Sequence, residues 1–430
     1  MSVDVPDGFR RKAEWTIATL SATCAAPPDV SYPSPALPGS EAAWGLFGSG
    51  GDRLPGLGQG GLLDFGDGVE DVVASAFWFL SRWEERPGGP RDEHGRFPRV
   101  AALADPERPV VDALAARFRA AVGGSPRSGF TVALTHDVDN PWRWHGRRAL
   151  VGAAARAKAA AAAGRGGELL AELRGLATSP VHRARGTDPN WSFERIAAIE
   201  RAHGGRSTYY VMAGHTHPAD GANGAAYDRL RPAIVSQVRG QGDEVGLHPS
   251  YATSRDVDLL GAEKALLEAL TGEPVEGVRF HYLRHDAHAT LPELDRLGFV
   301  HDSSHGFAET PGARAGLTTP YHPYDLVRDR PLDLVELPMV VMDVGLAERR
   351  YLGLPPAAGL VRAAAMLERV AESAGTVAVL WHVDRFDPAY ARGWDRVYER
   401  LLGWVTDRGG RLVTAGDAVA RPPAGDRADC

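Results

Sequence analysis

The decisive stretch of this sequence is Thr131-Val132-Ala133-Leu134-Thr135-His136-Asp137-Val138-Asp139, an apolar strand that ends in two carboxylates. Alternate side chains of a strand point to opposite faces, so Asp137 and Asp139 leave its end on the same side. Two carboxylates that face one way repel each other unless a metal ion or a shared proton compensates them. Such a pair is equally typical of turn or capping residues. On this stretch alone both interpretations stay open.

The same stretch begins a series of short apolar segments that alternate with helical patterns. The predicted strands are 130–135, 207–212, 244–247, 277–282, 299–302, 334–341, 376–381 and 411–414, and the helical patterns between them include 193–202, 257–270, 357–373 and 390–407. This alternation predicts an α/β fold with repeated βα units around a parallel sheet. Seven or eight units favour a distorted (β/α) barrel, with its chemistry at the carboxyl ends of the strands.

The residues before this series are predicted to form a small accessory domain, 1–125, that is α+β or mainly helical. The Gly/Pro cluster Gly123-Gly124-Ser125-Pro126 marks its boundary, and the barrel domain is assigned to 126–425. A formal G-x-G-x-x-G match at Gly56, Gly58 and Gly61 lacks the preceding strand and the following acid of a dinucleotide site. We interpret it as a loop.

Composition excludes several classes of protein. The 430 residues are 44% hydrophobic and 24% charged, as in ordinary globular proteins, and the net charge of −7 argues against a nucleic-acid partner. Only two cysteines occur, Cys24 and Cys430, which excludes a disulfide framework and a thiolate zinc site. No apolar run approaches the roughly 20 residues of a membrane span, and the segment after Arg10 is too polar for a signal peptide. We therefore expect a cytoplasmic protein; the sequence leaves the oligomeric state open.

Polar groups follow four of the predicted strands. They are His136, Asp137 and Asp139 after the first strand, His248 after the third, Arg279-Phe280-His281-Tyr282 at the fourth, and His382 and Asp384 after the seventh. A single histidine near a strand end is more often structural than functional. The carboxyl ends of barrel strands converge, however, so four such ends together predict a functional site.

Residues 128–420 resemble the polysaccharide deacetylase domain (NodB homology, carbohydrate esterase family four). Thr135-His136-Asp137-Val138-Asp139 looks like the first motif of that family, and Glu244-Val245-Gly246-Leu247-His248 looks like the start of the second. Arg279-Phe280-His281-Tyr282 resembles the third motif, and Leu380-Trp381-His382 the Leu-x-His motif. Together with Gly246-Leu247-His248-Pro249-Ser250-Tyr251, these motifs are most similar to a divergent His-Asp-Val-Asp branch with an extra N-terminal domain.

The resemblance implies a barrel of the NodB-homology type and a set of residue roles. By it, Asp137 is the base, Asp139 a metal ligand and His382 the acid. Arg279 orients Asp137, and Tyr282 supplies a backbone N–H for the oxyanion. The implied cofactor is a divalent metal ion, with zinc expected and nickel, cobalt or manganese as alternatives.

The chain departs from the family at one ligand. His248 matches the first histidine of the second motif, but Ala252 stands where the second metal-binding histidine belongs. His281 replaces the proline of the third motif on an adjacent strand end. Because a zinc ion needs about three protein ligands and an open position for water, we predict Asp139, His248 and His281 as the ligands.

The predicted reaction is hydrolysis of an N-acetyl group, or secondarily an O-acetyl group, on a sugar or glycan precursor. One alternative is a non-catalytic glycan-binding or scaffold protein on a degenerate barrel, which Ala252 suggests. Another is a hydrolase of cyclic, non-sugar amides on the same barrel. In addition, Asp302 is a candidate to support His382. His285 and His288 are predicted to be loop or substrate-rim groups, with a role as metal ligands as the alternative.

Overall fold

The computed structural model describes residues 1–49, 54–144, 146–185, 187–221, 224–387 and 392–420. Its central feature is a nine-stranded sheet in which every pairing is parallel. The strands are β1 (Thr131–Val138), β2 (Ser207–Met212), β3 (Glu244–His248), β4 (Gly277–Val278), β5 (His301–Asp302), β6 (Val335–Glu336), β7 (Met339–Met342), β8 (Thr376–Leu380) and β9 (Arg411–Val413). Their order is β6-β5-β4-β3-β2-β1-β8-β7, and β9 pairs with the first half of β1.

The two edges of this sheet come together. The edge strands β6 and β7 are separated in sequence only by Leu337 and Pro338. Consecutive Cα atoms are 3.80 Å apart, so Glu336 and Met339 lie within about 11 Å of each other. A sheet with adjacent residues at its two opposite edges has to curl until those edges meet. The predicted distorted α/β barrel is confirmed.

Two predicted strands differ from the structure. The single strand predicted at 334–341 is divided between the two edges, because Pro338 has no N–H to continue a hydrogen-bonded ladder. The strand predicted at 277–282 ends at Val278, and His281–Leu283 form a 3₁₀ turn instead. The first strand, in contrast, extends to Val138. The last residues of the predicted barrel domain, 421–425, lie outside the described part of the chain.

Most of the helices after β1 pack as an outer layer against the curled sheet, whereas the first two, Gly146–Ala162 and Gly166–Arg185, pack mainly on each other. The helices of the N-terminal part are α1 (Arg10–Ser21), α2 (Glu41–Ser49), α3 (Val72–Leu80) and α4 (Val110–Val122). The helices after β1 are α5 (Gly146–Ala162), α6 (Gly166–Arg185), α7 (Phe193–Ala202), α8 (Gly224–Gly240), α9 (Val257–Thr271), α10 (Thr290–Arg296), α11 (Asp343–Ala347), α12 (Pro356–Glu372), α13 (Trp394–Asp407) and α14 (Ala415–Val419). All eight residues of β1 are buried, as expected for a parallel strand covered on both faces.

His136 belongs to this outer layer and not to the predicted site. Its Nε2 lies 2.7 Å from Glu200, which also accepts hydrogen bonds from Tyr398 and Ser207. Its Nδ1 lies 2.6 Å from the carbonyl oxygen of Trp381. Buried polar groups need such partners. His136 is therefore a structural residue, and the alternation along β1 directs Asp137 to the opposite face.

The N-terminal part is mainly helical, with short strand pairs. Its core is rich in aromatic side chains such as Trp44, Phe47 and Phe77, and it also includes Tyr321 and Tyr324 from the barrel part of the chain. The boundary at residue 125 stays a prediction. The glycines of the formal nucleotide match lie in and beside an antiparallel pair, Gly56–Leu57 with Leu63–Asp64, in place of a strand that leads into a helix. No helix in the described residues is long and apolar enough to cross a membrane.

Candidate active site

The predicted site residues meet at the carboxyl end of the sheet. Asp137 is in β1, Asp139 lies one residue beyond it, His248 ends β3, and His281 follows β4. One ligand atom each of Asp139, His248 and His281 lies within 4.8 Å of the other two. The structure thus brings the three predicted ligands together, and their role as ligands stays a prediction.

Hydrogen bonds fix the orientation of both imidazoles. Nδ1 of His248 lies 2.5 Å from the carbonyl oxygen of Arg279, and Nδ1 of His281 lies 3.1 Å from Oδ1 of Asp220. A carbonyl and a carboxylate only accept hydrogen bonds, so each Nδ1 carries the proton and each neutral ring keeps a lone pair on Nε2. These Nε2 atoms lie 3.0 and 3.8 Å from the carboxylate oxygens of Asp139.

This arrangement fits a divalent metal ion. Oδ1 of Asp139 and Nε2 of His248 are buried and have no hydrogen-bond partner. Ligands at the usual 2.0–2.1 Å from a tetrahedral zinc ion are about 3.3 Å apart, which is between the two distances observed here. Histidine ligands also typically donate their other N–H to a carbonyl or a carboxylate, as His248 and His281 do. Ala252 contributes only a methyl group and cannot be a ligand.

The electrostatics of Asp139 agree with a ligand role. Burial alone would raise the pKa of this carboxyl group, but His281, together with His248 and His382, holds it well below its usual range. The side chain remains 31% exposed, so it borders the cleft. The surroundings of Asp139 thus favour its ionised form, which is the form that binds a metal ion.

Asp137 lies beside a fixed cation. Its Oδ1 is 3.7 Å from Nη1 of Arg279, and its Oδ2 is 3.8 Å from Nε2 of His248. Arg279 is fully buried, donates through Nη2 to Ser303 and packs over the ring of Tyr210. A nearby guanidinium favours the ionised form of a carboxyl group. Oδ1 of Asp137 has no hydrogen-bond partner, so it retains the capacity to accept a proton.

His382 is supported by a carboxylate that the sequence analysis missed. Its Nδ1 lies 2.7 Å from Oδ1 of Asp343, and its Nε2 lies 3.6 Å from Asp139. Burial alone would lower the pKa of His382, but the Asp343 carboxylate raises it to about 10, with smaller contributions from Asp139 and Asp137.

The prediction that Asp302 supports His382 is wrong. Asp302 ends β5 and accepts a hydrogen bond of 2.6 Å from Ser304, whereas Asp343 follows β7, the neighbour of the strand that precedes His382. The sequence did contain a signal for Asp343. Asp343 directly follows the apolar segment Met339–Met342, just as Asp137 and Asp139 come at the end of the apolar first strand.

Tyr282 lies in a strained turn. Its φ is 61° and that of Leu283 is 53°, both in the left-handed region that side chains disfavour. The carbonyl of Tyr282 accepts a hydrogen bond of 2.9 Å from Arg96, and Arg284 donates to the carbonyl of His94. The N-terminal part therefore holds the turn that contains His281 and Tyr282. No motif in the sequence had indicated this contact.

A cleft opens above these groups. One cavity of about 340 Å³ is lined by the predicted base Asp137, the predicted acid His382 and the three predicted ligands. Its other lining residues are Arg96, Tyr282, Leu283, Ala308, Met342, Val344, Glu348, Arg350, Tyr351, Asp384 and Arg385. An adjoining cavity of about 400 Å³ shares Asp139, His281, Tyr282 and Asp384 with it. These volumes are in the range of small-molecule sites. A larger cavity of about 780 Å³ beside α4 and α12 is lined by none of the predicted site residues.

His285 and His288, which were expected in a loop or at the rim, lie in a loop away from the cleft. His285 is only 3% exposed, and Nε2 of His288 lies 3.0 Å from the carbonyl oxygen of Arg82. Neither residue lines the cleft. Both residues therefore lie in a loop, as predicted, but not at the substrate rim, because the chain after His281 leads away from the cleft.

Comparisons with known proteins give three further observations. Residues 61–124 match a family of unknown function (DUF7033). No curated protein matches the chain. Several solved structures are similar over about two thirds of it.

The first is a protein from Mycobacterium smegmatis provisionally named as a polysaccharide deacetylase, with 17% identity, a TM-score of 0.43, and coverage of 68% of this chain and 92% of that one. The second is PuuE allantoinase, with 12% identity, a TM-score of 0.42, and coverage of 67% and 88%. The third is a family-four carbohydrate esterase pseudoenzyme from Bacillus anthracis, with 12% identity, a TM-score of 0.35, and coverage of 67% and 65%. These similarities are low, so the function has to follow from the site itself.

Proposed function

We propose that this protein is a metal-dependent hydrolase that removes an N-acetyl group from a sugar or glycan precursor. One observation carries the proposal: a carboxylate suited to act as a base and an imidazole suited to act as an acid flank the same three potential ligands. Asp137 lies 3.8 Å from His248, and His382 lies 3.6 Å from Asp139. All of these groups line one cleft.

Asp139, His248 and His281 would hold the metal ion. When bound, such an ion lowers the pKa of a water molecule and polarises the carbonyl of the scissile amide. Two imidazoles and a carboxylate suit zinc best, and nickel, cobalt or manganese are the alternatives.

Asp137 is proposed as the general base. Its unpartnered Oδ1 can accept the proton of the attacking water. Arg279 lies 3.7 Å away and cannot leave, since it is fully buried and hydrogen-bonded to Ser303. The guanidinium therefore orients Asp137 toward the cleft.

His382 is proposed as the general acid. Asp343 occupies its Nδ1, so Nε2 is the atom that faces the cleft and delivers the proton to the departing amine. A pKa raised to about 10 keeps the imidazole protonated at neutral pH, as an acid requires.

The backbone N–H of Tyr282 is proposed as the donor to the oxyanion. The N–H groups of the next two residues, Leu283 and Arg284, donate to carbonyls of the same turn. A fixed backbone donor at a developing negative charge needs no reorganisation during the reaction. The positive φ of Tyr282 is a strained backbone conformation, and residues in such conformations cluster at functional sites.

Acetate release tests the proposal. The full chain would be treated with a chelator, reconstituted with Zn²⁺, Co²⁺, Ni²⁺ or Mn²⁺, and incubated with N-acetylated monosaccharides, oligosaccharides and nucleotide sugars. We expect acetate release that depends on the added metal. A protein that holds metal but releases acetate from none of these would contradict the proposal. Turnover of cyclic amides would then favour the amidase alternative, and glycan binding without metal the scaffold alternative.

Asp343→Asn tests the assignment of the acid. We expect kcat to fall by about 10²-fold, the lower end of what a general acid contributes. Because the carboxylate of Asp343 raises the pKa of His382, its loss lowers that pKa, and the alkaline limb of the kcat–pH profile should move to lower pH. Asp343→Glu keeps a carboxylate and should restore part of the profile. An unshifted alkaline limb in Asp343→Asn would argue against His382 as the acid.

A further inference from the structure

A second cluster of buried histidine and carboxylate groups lies away from the cleft. His285 follows the turn after β4, Asp302 ends β5, and His305 lies three residues further along the chain. One ligand atom from each of these residues lies within 4.8 Å of the other two. Their exposures are 3%, 0% and 1%. None of the three lines either cavity of the candidate active site.

The imidazoles of this cluster present unpartnered nitrogens. Nδ1 of His285 lies 3.2 Å from the carbonyl oxygen of Leu283, which leaves Nε2 as the lone-pair atom, and that Nε2 is buried without a hydrogen-bond partner. Both ring nitrogens of His305 are buried and also lack hydrogen-bond partners. Nδ1 of His305 lies 3.4 Å from Oε2 of Glu336. A buried nitrogen without a partner is costly, so each one calls for an explanation.

Two buried carboxylates lie beside these nitrogens without a basic partner. Asp302 and Glu336 are paired residues of the neighbouring strands β5 and β6, and both are 0% exposed. Like charges opposite each other on a sheet repel. The nearby Arg314 and Arg82 are bound to Glu85. Among the described residues no lysine or arginine forms an ion pair with Asp302 or Glu336.

We propose that His285, Asp302 and His305 bind a second divalent metal ion, with Glu336 orienting His305 through its Nδ1. Two imidazoles and one carboxylate are a ligand set suited to zinc or a similar transition-metal ion. A dication at this point would compensate a buried carboxylate that has no lysine or arginine partner in the described part of the chain. A carboxylate behind a ligating imidazole is the usual way of fixing its orientation, as Asp220 does for His281, and Glu336 lies 3.4 Å from Nδ1 of His305 in the corresponding place.

The second ion is structural. Its three ligands are buried, so a substrate does not reach the ion, whereas a catalytic metal ion must have a position open to substrate and water. It joins the ends of β4 and β5 next to β6, and each of these strands has only two residues. Such short strands form few ladder hydrogen bonds, so a metal ion is an effective tie between them. The ion would stabilise the part of the barrel that is formed by these two-residue strands.

Metal counting on the full chain tests this second site. Wild-type protein stripped with a chelator, reconstituted with Co²⁺ and freed of excess ion should hold two Co²⁺ per chain. His305→Gln should hold one. His301→Gln is the matched control, because His301 is equally buried with both ring nitrogens unpartnered but lies outside the cluster. It should keep two.

Several outcomes separate the two sites. A His305→Gln variant with the wild-type Co²⁺ count would overturn the second site. The wild-type chain could also hold a single Co²⁺. If His305→Gln loses this ion and His281→Gln keeps it, the result supports the second site and contradicts the metal site in the cleft. If His305→Gln does not fold, anomalous diffraction from Co²⁺-loaded wild-type crystals decides the matter. A peak between His285 and His305 supports the site, and a peak at Asp139 alone rejects it.

Discussion

Asp137→Asn is expected to lower kcat for acetate release by about 10²–10⁴-fold, the range that a general base contributes. The amide of asparagine has nearly the shape of the carboxylate, but it cannot accept the proton of the attacking water. Asp137 is not one of the three predicted ligands, and its carboxylate oxygens lie 3.7 and 3.8 Å from Arg279 and His248. The metal content of the variant should therefore equal that of the wild type. Both quantities can be measured on one preparation, by acetate assay and by elemental analysis.

The control for this variant is a carboxylate-to-amide change elsewhere in the chain. Asp325 is buried and hydrogen-bonded to Val327 and Arg328, outside the cleft. Asp325→Asn should retain the wild-type kcat even if it lowers stability. Normal turnover in Asp137→Asn would refute the assignment of the base, and a loss of metal in that variant would mean that Asp137 is itself a ligand.

His281→Ala is expected to weaken metal binding at the cleft by more than about 100-fold and to abolish metal-dependent acetate release. Loss of an outer partner of a ligand already costs 10–100-fold in affinity, and loss of a ligand costs more. The variant removes one of the two imidazoles among the predicted ligands, and His382, the third imidazole with Nε2 near Asp139, is held by Asp343 as the proposed acid. Titration of the chelator-treated protein with Zn²⁺ measures the change.

Two further variants calibrate this result. His217→Ala removes another imidazole near the cleft, one that stacks on Tyr251 and accepts from the N–H of Ala219. It should leave Zn²⁺ affinity unchanged. Asp220→Asn weakens the support of His281 and should produce an intermediate loss of about 10–100-fold. Wild-type Zn²⁺ affinity in His281→Ala would show that another group replaces the histidine missing at Ala252.

The contact between the N-terminal part and the cleft gives that part a role in the site. Arg96 donates to the carbonyl of Tyr282, and the carbonyl of His94 accepts from Arg284. Arg96 also borders the cleft and is bound to Asp92. The N-terminal part thus supplies side chains to the rim and supports the turn on which both His281 and Tyr282 depend.

Local patterns predicted the parts of the fold that depend on short segments. The alternation of apolar strands and helices predicted a parallel barrel, and the spacing of Asp137 and Asp139 placed both carboxylates on one side of β1. The same patterns failed at 334–341, where apolar residues continue through Leu337 but Pro338 interrupts the hydrogen bonding. They also failed at His285, whose spacing from His281 gave no sign of a buried second cluster.

Local sequence was enough to predict the polar groups at the strand ends: a carboxylate pair at the end of β1, His248 at the end of β3, and His382 after β8. Each of these features follows from residues that are neighbours in the chain, so the two-residue period of a strand is enough to place them. Three contacts could be seen only in the folded chain: His281 with Asp139, Asp343 in place of Asp302 with His382, and His285 with His305. These contacts join residues that are far apart along the chain or separated by an irregular turn. The order of strands in the curled sheet and the left-handed turn at Tyr282 set them, and neither is encoded in a local pattern.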